Sequence, residues 1–570
     1  MRQVRALLAL ALLSPLTARA AEPVDWEAVN RIRDEGFHHS RVMATARELT
    51  EVIGARLTGS PGMVRANEWT RDRLAEWGLE DARLEPWGPF GRGWSFDRVS
   101  AHLVAPFPMP LVALPQAWTP GTDGPVRGEL ARVTLEDEED LEEHRGKLAG
   151  KVLLLDEARA LGDWKAPMLH RHDPDGLEEL QEFAIPTDEG GPWRERARKR
   201  WRFREPLNEF LVAEGVVATI RVSSRDAGLV RVGGGGSREP GESPGVPGLV
   251  MAVEHYNRLV RLAGAAGGGD EAAEEDVAEG AEGEAAEEDL KRPSSDSAGA
   301  GGGPAPAAPV VEIDVVSRFH DDDPMAYNTL AEIPGGDLAG ELVMAGAHLD
   351  SWHGGTGATD NAAGSAIVME AVRILAALEI EPRRTIRVAL WSGEEQGLLG
   401  SYAHVEEHFA ARAASGDPEE QDLPVRLQEG RGPLALKPAH PDLSAYFNLD
   451  NGGGKIRGIY TQENAAVAPI FEAWLEPFHD LGAKTVTLNN TGGTDHLPFD
   501  RAGLPGFQFI QDMRDYETLT HHTNADTFDH LSREDMIQAS VVLASFLYHA
   551  AMRDEPLPRK PLPRDEAPAE

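Results

Sequence analysis

The sequence predicts an α/β domain built on a mixed, mainly parallel sheet flanked by helices, with a smaller β-rich domain inserted in it. From Pro309 onward, apolar strand-like runs alternate with amphipathic helical segments, which is typical of parallel sheets. From about residue 97 to residue 262, short β-rich runs such as GKVLLLDEA and PGLVMAV dominate instead. Residues 25–85 show the three- and four-residue apolar spacing of helices. The fold class follows from these three observations.

Two apolar runs in the α/β part, GELVMAGAHL and RTIRVALWSG, predict buried strands. Between them, AAGSAIVMEAVRILAAL predicts a helix with Ile367, Ala371, Leu375 and Leu378 on one face. LSAYFNLD and LPGFQFI predict further strands, and REDMIQASVVLASFLYHAAM predicts a long closing helix. Because ligands bind beyond the carboxyl ends of strands in such sheets, polar residues after these runs are the site candidates.

Composition suggests where the domains begin and end. The N-terminal helical segments are expected to pack onto the α/β domain, which is then discontinuous in sequence. Two segments have few large apolar side chains and are predicted to be disordered, one acidic and one proline-rich. The predicted boundaries are 21–115 and 309–552 for the α/β domain, 116–263 for the β-rich domain, 264–308 for the acidic linker and 553–570 for the tail.

Residues 1–20 have the pattern of a cleavable signal peptide, with Arg2 and Arg5, an apolar run and a small-residue site ending at Ala20. The apolar run is shorter than the ~20 residues that span a bilayer, so a membrane anchor is the weaker interpretation. We therefore expect a secreted or periplasmic protein without a membrane span. The net charge of −39 argues against a nucleic-acid partner, and the absence of cysteine excludes disulfides and cysteine-ligated metal.

Histidine and acidic side chains follow the predicted strands at the points where the strands end. They are His348, Asp350, Asp360, Glu394, Glu395, Asp450, His521 and His522. Because these ends share one rim of a parallel sheet, we expect the side chains to meet there. So many acids would repel one another without a cation. Imidazole and carboxylate without thiolate suit zinc, with cobalt or manganese as substitutes.

Five motifs, GAHLDSW, GATDNAAG, WSGEEQGLLGS, FNLDNGG and HHTNADT, occur in the order found in the co-catalytic di-zinc exopeptidases, metallopeptidase family 28. The sequence resembles that family, and the resemblance extends to GARLTGSPG, YNTLAEIPG and the β-rich insertion. It implies an eight-stranded mixed sheet of the zinc aminopeptidase (phosphorylase/hydrolase-like) type. It also implies that the inserted domain is similar to a protease-associated domain.

The resemblance implies two Zn²⁺ per chain. One would be held by His348, Asp360 and Asp450, and the other by Asp360, Glu395 and His522, so that Asp360 bridges them. The glycines and small residues of 354–364 let the loop bring Asp360 back beside His348.

The catalytic roles are likewise implied by the resemblance. Glu394 resembles the general base, and Asp350 the acid that bonds the far nitrogen of His348. His521 is our hypothesis for the group that steadies the oxyanion, with Tyr516 as the alternative. The implied reaction is hydrolysis of dipeptides or short peptides by a metal-activated water, as an aminopeptidase or a dipeptidase. A peptide substrate and a homodimer are the expected partners.

Two other functions stay open: a glutaminyl-cyclase-like aminoacyltransferase, which binds a single zinc, and a receptor-like module without catalysis. The motif HVEEH at 404–408 matches the inverted zincin pattern H-x-x-E-H. We interpret its two histidines instead as a solvated helix face that points away from the strand rim. In GGTDHLPF, Asp495 and His496 are further candidates for lining the pocket.

Overall fold

The computed structural model describes residues 22–163, 165–185, 190–266 and 308–562. The predicted signal peptide, most of the predicted acidic linker and the last part of the predicted tail lie outside the described residues. Within the described ranges, no helix has both the length and the apolar character needed to cross a bilayer.

The α-helices, in chain order, are α1 (Trp26–His39), α2 (Val42–Arg47), α3 (Pro61–Glu76), α4 (Glu138–His144), α5 (Pro174–Glu179), α6 (Gly190–Ala213), α7 (Val253–Ala266), α8 (Ala363–Ala377), α9 (Leu399–His408), α10 (Pro418–Gln421), α11 (Ala468–Leu475), α12 (His496–Arg501) and α13 (Arg533–Met552). Short π-helical and 3₁₀ turns occupy Glu48–Ile53, Ala358–Ala362, Val425–Leu427, His440–Asp442, Glu476–Leu481, Tyr516–Thr520 and Phe528–His530.

The strands are β1 (Glu80–Trp87), β2 (Gly93–Ala105), β3 (Met109–Pro110), β4 (Ala113–Pro115), β5 (Val126–Arg132), β6 (Lys151–Leu154), β7 (Ala218–Val222), β8 (Gly248–Met251), β9 (Val310–His320), β10 (Ala326–Ile333), β11 (Leu338–His348), β12 (Arg384–Trp391), β13 (Ala410–Arg412), β14 (Leu434–Leu436), β15 (Leu443–Asn448), β16 (Ile456–Tyr460), β17 (Thr485–Thr487) and β18 (Gly506–Gln511). The strand β1 lies in a region that the sequence analysis predicted as helical, and that prediction is wrong there.

The first sheet has the strand order β1-β10-β12-β11-β15-β18-β16-β17. Its four central strands, β12, β11, β15 and β18, are parallel to one another. In register, His348 lies opposite Trp391, and Gly346 lies opposite Asn448. The carboxyl ends of three of these strands are therefore level with one another. The mixed α/β fold predicted from the sequence is confirmed.

Helices cover both faces of this sheet. On one face, α8 and α13 pack with α1 and α2 in a single apolar core. The predicted inward face of α8 is buried, with Ile367, Ala371 and Leu375 fully excluded from solvent. Ser60 and Ser532 accept hydrogen bonds at the starts of α3 and α13, as helix N-caps do. The opposite face of the sheet packs on α9 and α12 through a smaller core.

The second sheet has the order β3-β2-β9-β5-β6-β7-β8-β4 and its own apolar core. Its long strands β2 and β9 pair antiparallel from Gly93 opposite His320 to Ala105 opposite Val310. These strands belong to segments that the sequence analysis assigned to the α/β domain, so the predicted boundaries at 116 and 309 are wrong. The reason is that β2 and β9 turn alternate side chains, among them Leu103 and Ile313, into the second core.

The first part of the predicted disordered tail packs onto the α/β domain. Leu557 is 2% exposed and belongs to the main core. Arg559 donates hydrogen bonds to the carbonyl oxygens of Leu443 and His440, and Lys560 pairs with Asp500. The prediction of disorder is therefore wrong for 553–562, because one apolar side chain and these bonds anchor a segment that is otherwise polar and proline-rich.

Candidate metal centre

The candidate ligands reach one rim of the first sheet because of its parallel strands. His348 is the last residue of β11, and Glu394 and Glu395 follow the end of β12. Asp450 follows the end of β15. Asp360 lies in the turn Ala358–Ala362 that precedes α8, and His522 lies in the segment after β18. The structure brings all five sequence-predicted ligands together.

Asp360 is central to this arrangement, because its two carboxylate oxygens face different histidines. Its Oδ1 lies 3.3 Å from His348 Nε2, and its Oδ2 lies 3.0 Å from His522 Nε2. Asp450 Oδ1 lies 3.1 Å from His348 Nε2, and Glu395 Oε2 lies 2.9 Å from His522 Nε2. Two sets of three side chains therefore share one aspartate. Donor atoms around a tetrahedral zinc ion are about 3.3 Å apart for metal–ligand bonds of about 2.0 Å, so these spacings fit zinc.

The burial of these acids also fits bound cations. Glu395 Oε1 is buried and has no hydrogen-bond partner among the described residues, and Asp360 Oδ2 is buried with the ring nitrogens of His522 and His521 beside it, at 3.0 and 4.0 Å. An ionised buried oxygen without a partner is costly, and a divalent cation removes that cost. Burial raises the pKa of Glu395, and the nearby carboxylate of Asp360 adds to the increase. The arrangement of the donor atoms thus suits a pair of divalent ions.

Asp350 positions the loop that carries the two glutamates. Its carboxylate is buried, accepts the Thr58 hydroxyl at 2.9 Å, and lies 3.4 Å from the main-chain nitrogens of both Glu394 and Glu395. The nearest Asp350 atom to His348 Nδ1 is the main-chain carbonyl oxygen at 3.0 Å, whereas its Oδ1 is 3.5 Å away. Both the carbonyl oxygen and the carboxylate of Asp350 thus lie beside the far nitrogen of His348, and either acceptor fixes the same tautomer.

Glu394 faces the first ligand set. One donor atom of Glu394 lies within 4.8 Å of donor atoms of His348 and Asp450. Burial raises the pKa of Glu394 well above its usual value, and Asp450 and Asp495 act in the same direction. Although burial opposes it, the charge of Asp450, followed by that of Glu394, raises the pKa of His348.

The loop that carries Asp360 is held by two residues that the sequence analysis did not single out. Asp526 accepts hydrogen bonds from the Thr359 nitrogen at 2.6 Å, the Thr359 hydroxyl at 2.8 Å and the Asp360 nitrogen at 3.2 Å. Burial raises the pKa of Asp526 to about 7. Asp526 lies in HHTNADT, the motif that also contains the predicted ligand His522. An acid so close to a ligand in the sequence could have suggested a role at the site.

The second of these residues is Arg56, which is fully buried. Its guanidinium donates to the carbonyl oxygens of Thr356 at 2.8 Å and Gly357 at 2.7 Å. Gly357 has a φ of 61°, and a Cβ there would lie 2.3 Å from Ser351 Cβ, so only glycine fits. Arg56 belongs to the motif GARLTGSPG, so this motif helps to hold the loop that carries Asp360.

Both candidates for steadying an oxyanion lie at this centre. His521 Nε2 is 4.0 Å from Asp360 Oδ2, and its ring stacks on Tyr516 with centroids 4.7 Å apart. Tyr516 is buried, and burial followed by the charge of Asp360 raises its pKa well above the usual value. The geometry is therefore compatible with either His521 or Tyr516 as the group that steadies the oxyanion.

The two GGTDHLPF candidates differ in their surroundings. Asp495 is fully buried, accepts a hydrogen bond from Ser401, and has its pKa raised to about 8 by burial. The charges of His348 and Asp450 act on it, so it lies close to the first ligand set. His496 bonds the carbonyl oxygen of Thr491 at 3.1 Å, and burial lowers its pKa to about 4.

The loop between β7 and β8 of the second sheet contacts the segment that carries His522. The Val232 nitrogen donates to the carbonyl oxygen of His522 at 3.0 Å, and the Asn524 nitrogen donates to the carbonyl oxygen of Val230 at 3.2 Å. The rings of Trp352 and His522 lie 6.1 Å apart, edge to face. The segment that carries His522 is thus hydrogen-bonded to the loop between β7 and β8 of the second sheet.

The fold and the site together define a mixed α/β protein with two adjacent sets of metal-ligating side chains at the strand ends. Residues 328–547 match the model of peptidase family M28. Over 241 residues the chain is 30% identical to carboxypeptidase Q of Rattus norvegicus, a match that covers 42% of this chain and 44% of that protein. The chain thus spans less than half the length of the curated relatives it matches first.

Solved structures give the same picture for the fold. A peptidase M28 precursor from Shewanella amazonensis is 22% identical with a TM-score of 0.60, covering 95% of this chain and 99% of that one. A zinc aminopeptidase from Bacillus subtilis is 16% identical with a TM-score of 0.51, covering 90% and 95%. The family resemblance drawn from the motifs, including that to carboxypeptidase Q, is confirmed by these matches.

Proposed function

We propose that this chain is an exported zinc-dependent exopeptidase that hydrolyses dipeptides or short peptides, as an aminopeptidase or a dipeptidase. The observation that carries the proposal is the shared aspartate, since Asp360 presents one oxygen to His348 at 3.3 Å and the other to His522 at 3.0 Å. Export rests on the signal-like pattern of residues 1–20.

His348, Asp360 and Asp450 would hold one zinc ion, and Asp360, Glu395 and His522 would hold the other. When bound, a pair of zinc ions lowers the pKa of water and polarises a carbonyl group. Asp350 keeps His348 in the tautomer that leaves Nε2 free to ligate, through its carbonyl bond at Nδ1. Asp526 and Arg56 keep Asp360 in place between the histidines.

Glu394 is the general base in this proposal. Its carboxylate would take a proton from the attacking water and pass it to the leaving amine. Support comes from its place beside His348 and Asp450 and from its raised pKa, which brings its basicity closer to neutral pH. His521 would donate to the oxyanion, and Tyr516 is the alternative donor.

We also assign the second domain as protease-associated-like and expect it to shape the substrate pocket. Two backbone hydrogen bonds support this role, one from the Val232 nitrogen to His522 and one from the Asn524 nitrogen to Val230. They join a loop of this domain to the segment that carries His522. A homodimer remains an expectation from the family resemblance. The two ligand sets favour a peptidase over a single-zinc aminoacyltransferase, and the complete ligand sets favour it over a receptor-like module.

A panel of dipeptides and aminoacyl reporter amides tests this function on the purified full chain. We expect hydrolysis that a chelator abolishes and added zinc restores. Hydrolysis that persists at full rate after the bound metal has been removed would rule the proposal out.

The base assignment has its own test in the variant Glu394→Gln. We expect the kcat to fall by roughly 10²–10⁴-fold, because the amide cannot accept the water's proton. The zinc content, measured by elemental analysis, should equal that of the wild type. Full turnover in a variant with its normal metal content would remove Glu394 from the mechanism.

A further inference from the structure

A second group of metal-ligating side chains lies between β1 and α9, apart from the metal centre. His404 and His408, four residues apart on α9, both face Glu85 of β1. Glu85 Oε2 lies 2.6 Å from His404 Nδ1, and Glu85 Oε1 lies 2.8 Å from His408 Nε2. The sequence-based interpretation of this pair as a solvated face is wrong for His404, whose side chain is fully buried among aromatic rings.

We propose that Glu85, His404 and His408 form an additional zinc site, with water completing the coordination. One donor atom from each residue lies within 4.8 Å of the other two. Two imidazoles and a carboxylate are a ligand set that zinc favours, and histidines at i and i+4 lie on one side of a helix. The His408 side chain is 35% exposed, which gives an ion and its waters access from solvent.

The surrounding charges leave Glu85 available for a cation. Arg83 Nη2 is 4.0 Å from Glu85 Oε1, but Arg83 is already paired with Asp81. Arg387, whose charge acts on His404, is paired with Glu332 at 2.5 Å. His408 is the last residue of α9, where the partial negative charge of a helix C-terminus stabilises cations.

The protonation states also suit metal binding. Burial lowers the pKa of His404 to about 4, so its ring is neutral at neutral pH. Burial opposes ionisation of Glu85, but the bonds from His404 and His408 outweigh it and hold its pKa well below the usual value. A neutral imidazole and an ionised carboxylate are the forms that coordinate zinc.

The alternative is a hydrogen-bond clamp in which the Glu85 carboxylate accepts one hydrogen bond from each ring. His404 Nδ1 would then carry the hydrogen, and Nε2 would be a bare acceptor. That Nε2 is buried, with no hydrogen-bond partner among the described residues. A buried polar atom left unpaired costs about 1–3 kcal/mol. With zinc on Nδ1, the hydrogen would move to Nε2, and no bare acceptor would be left among the neighbouring rings of Trp391 and Phe499, whose centroids lie 5.1 and 6.5 Å from that of His404.

The proposed ion would have a structural effect on the neighbouring loop. The strand β1 is at the edge of the first sheet, and α9 begins at Leu399, shortly after Glu394 and Glu395. An ion held by both elements would tie the edge strand to the helix that follows the two glutamates. The ion would therefore join two segments that are distant in the sequence, and its water would occupy the position that no protein ligand fills.

Zinc counting on the full chain tests the proposal. Wild type, His408→Ala and Glu85→Gln are equilibrated at the same buffered free zinc concentration and analysed by elemental mass spectrometry. We expect each variant to hold one zinc ion fewer per chain than the wild type. His38→Ala is the matched control, because His38 is also an exposed helix histidine that contacts an acid, Asp34, four residues away. It belongs to no three-ligand group among the described residues, so its zinc content should be that of the wild type.

Equal zinc content in the wild type and both site variants would overturn the proposal. The hydrogen-bond clamp would then be the correct description of Glu85, His404 and His408. A clamp would lower the thermal unfolding midpoint of the variants equally with and without zinc. An additional zinc site would give the wild type a larger zinc-dependent rise in that midpoint than His408→Ala, which keeps only the rise due to the metal centre. The outcome is separable from the proposed function, since failure of the metal centre to bind zinc lowers the count in all four proteins alike.

Discussion

The placement of Asp360 depends on residues that are not ligands themselves. Asp526 receives three hydrogen bonds from Thr359 and Asp360, and Arg56 holds the carbonyl groups of Thr356 and Gly357. These bonds hold the loop that carries Asp360. At the scale of single residues, the quality of the metal centre is therefore set by its supporting residues as much as by its ligands.

The variant Asp526→Asn tests this support. The amide keeps one acceptor oxygen but loses the charge and one acceptor, so Asp360 is held less firmly. We expect zinc affinity to fall by roughly 10- to 100-fold, measured by competition with a chromophoric chelator. Asp529→Asn, at an exposed acid nearby in the chain, is the control and should bind zinc as the wild type does. Unchanged affinity in Asp526→Asn would contradict the supporting role.

The oxyanion donor is a separate question at this scale. His521→Ala should lower the kcat by about 10²–10³-fold with little change in KM, since the interaction forms in the transition state. Tyr516→Phe keeps the ring that stacks on His521 and removes only the hydroxyl. If Tyr516→Phe loses the turnover and His521→Ala keeps it, the tyrosine is the donor and our assignment to His521 fails.

At the scale of elements, the loop after β11 links the two sheets. His353 is buried against Trp94 and Phe96 of β2, and its Nε2 lies 2.8 Å from the carbonyl oxygen of Pro115. The ring thus contacts strands of the second sheet, while its own loop joins β11 of the first sheet to α8. Burial lowers the pKa of His353 to about 4.

This lowered pKa predicts a pH dependence of stability. Between pH 6.5 and about 4 the unfolded chain binds a proton at His353 that the folded chain does not. The contribution is therefore fully present above pH 6.5, and is lost as the pH falls towards 4, by about 3 kcal/mol in total. Urea unfolding at pH 7.5 and pH 5 should show a smaller loss for His353→Gln than for the wild type. Other buried histidines affect both proteins alike, so equal losses would contradict this assignment.

The elements that the sequence predicted well are those with strong local signals. The strands β11, β12, β15 and β18 are mostly apolar and buried, and the residues at and after their ends carry the candidate site. The strand β1 was missed because Glu80–Trp87 is mostly polar and half-exposed. Its apolar residues therefore show neither the two-residue spacing of a strand nor the 3.6-residue spacing of a helix. The pairing of β2 with β9 joins segments far apart in the chain, and no local pattern carries that information.

At the scale of the whole molecule, the segment after α13 is part of the fold. Leu557→Ala should lower the free energy of unfolding by about 2–5 kcal/mol, because the side chain is buried in the main core. Leu562→Ala removes the same atoms from an exposed leucine and should leave stability unchanged. Chemical denaturation of the two variants gives the comparison, and equal stabilities would mean that the segment is detached in solution.

The supporting residues of the site were also beyond sequence reasoning, for a physical reason. Ligand types and their order can be predicted because zinc chemistry restricts them. Asp526, Arg56 and Glu85 act through partners that only the folded chain brings near. The burial of His404 follows from the packing of α9 on β1 and the aromatic core, which helix periodicity alone does not show.

The route of the chain between the two domains has a consequence for how such proteins can vary. The strands β1 and β10 are antiparallel neighbours, with Trp87 opposite Ala326, so the chain leaves the first sheet and re-enters it at adjacent points. Topologically, everything from Gly88 to Met325 is the loop of one hairpin. Such a loop can be lengthened, exchanged or reduced to a tight turn without rethreading any strand. The strand order around the metal centre can therefore stay constant while the segment between β1 and β10 changes.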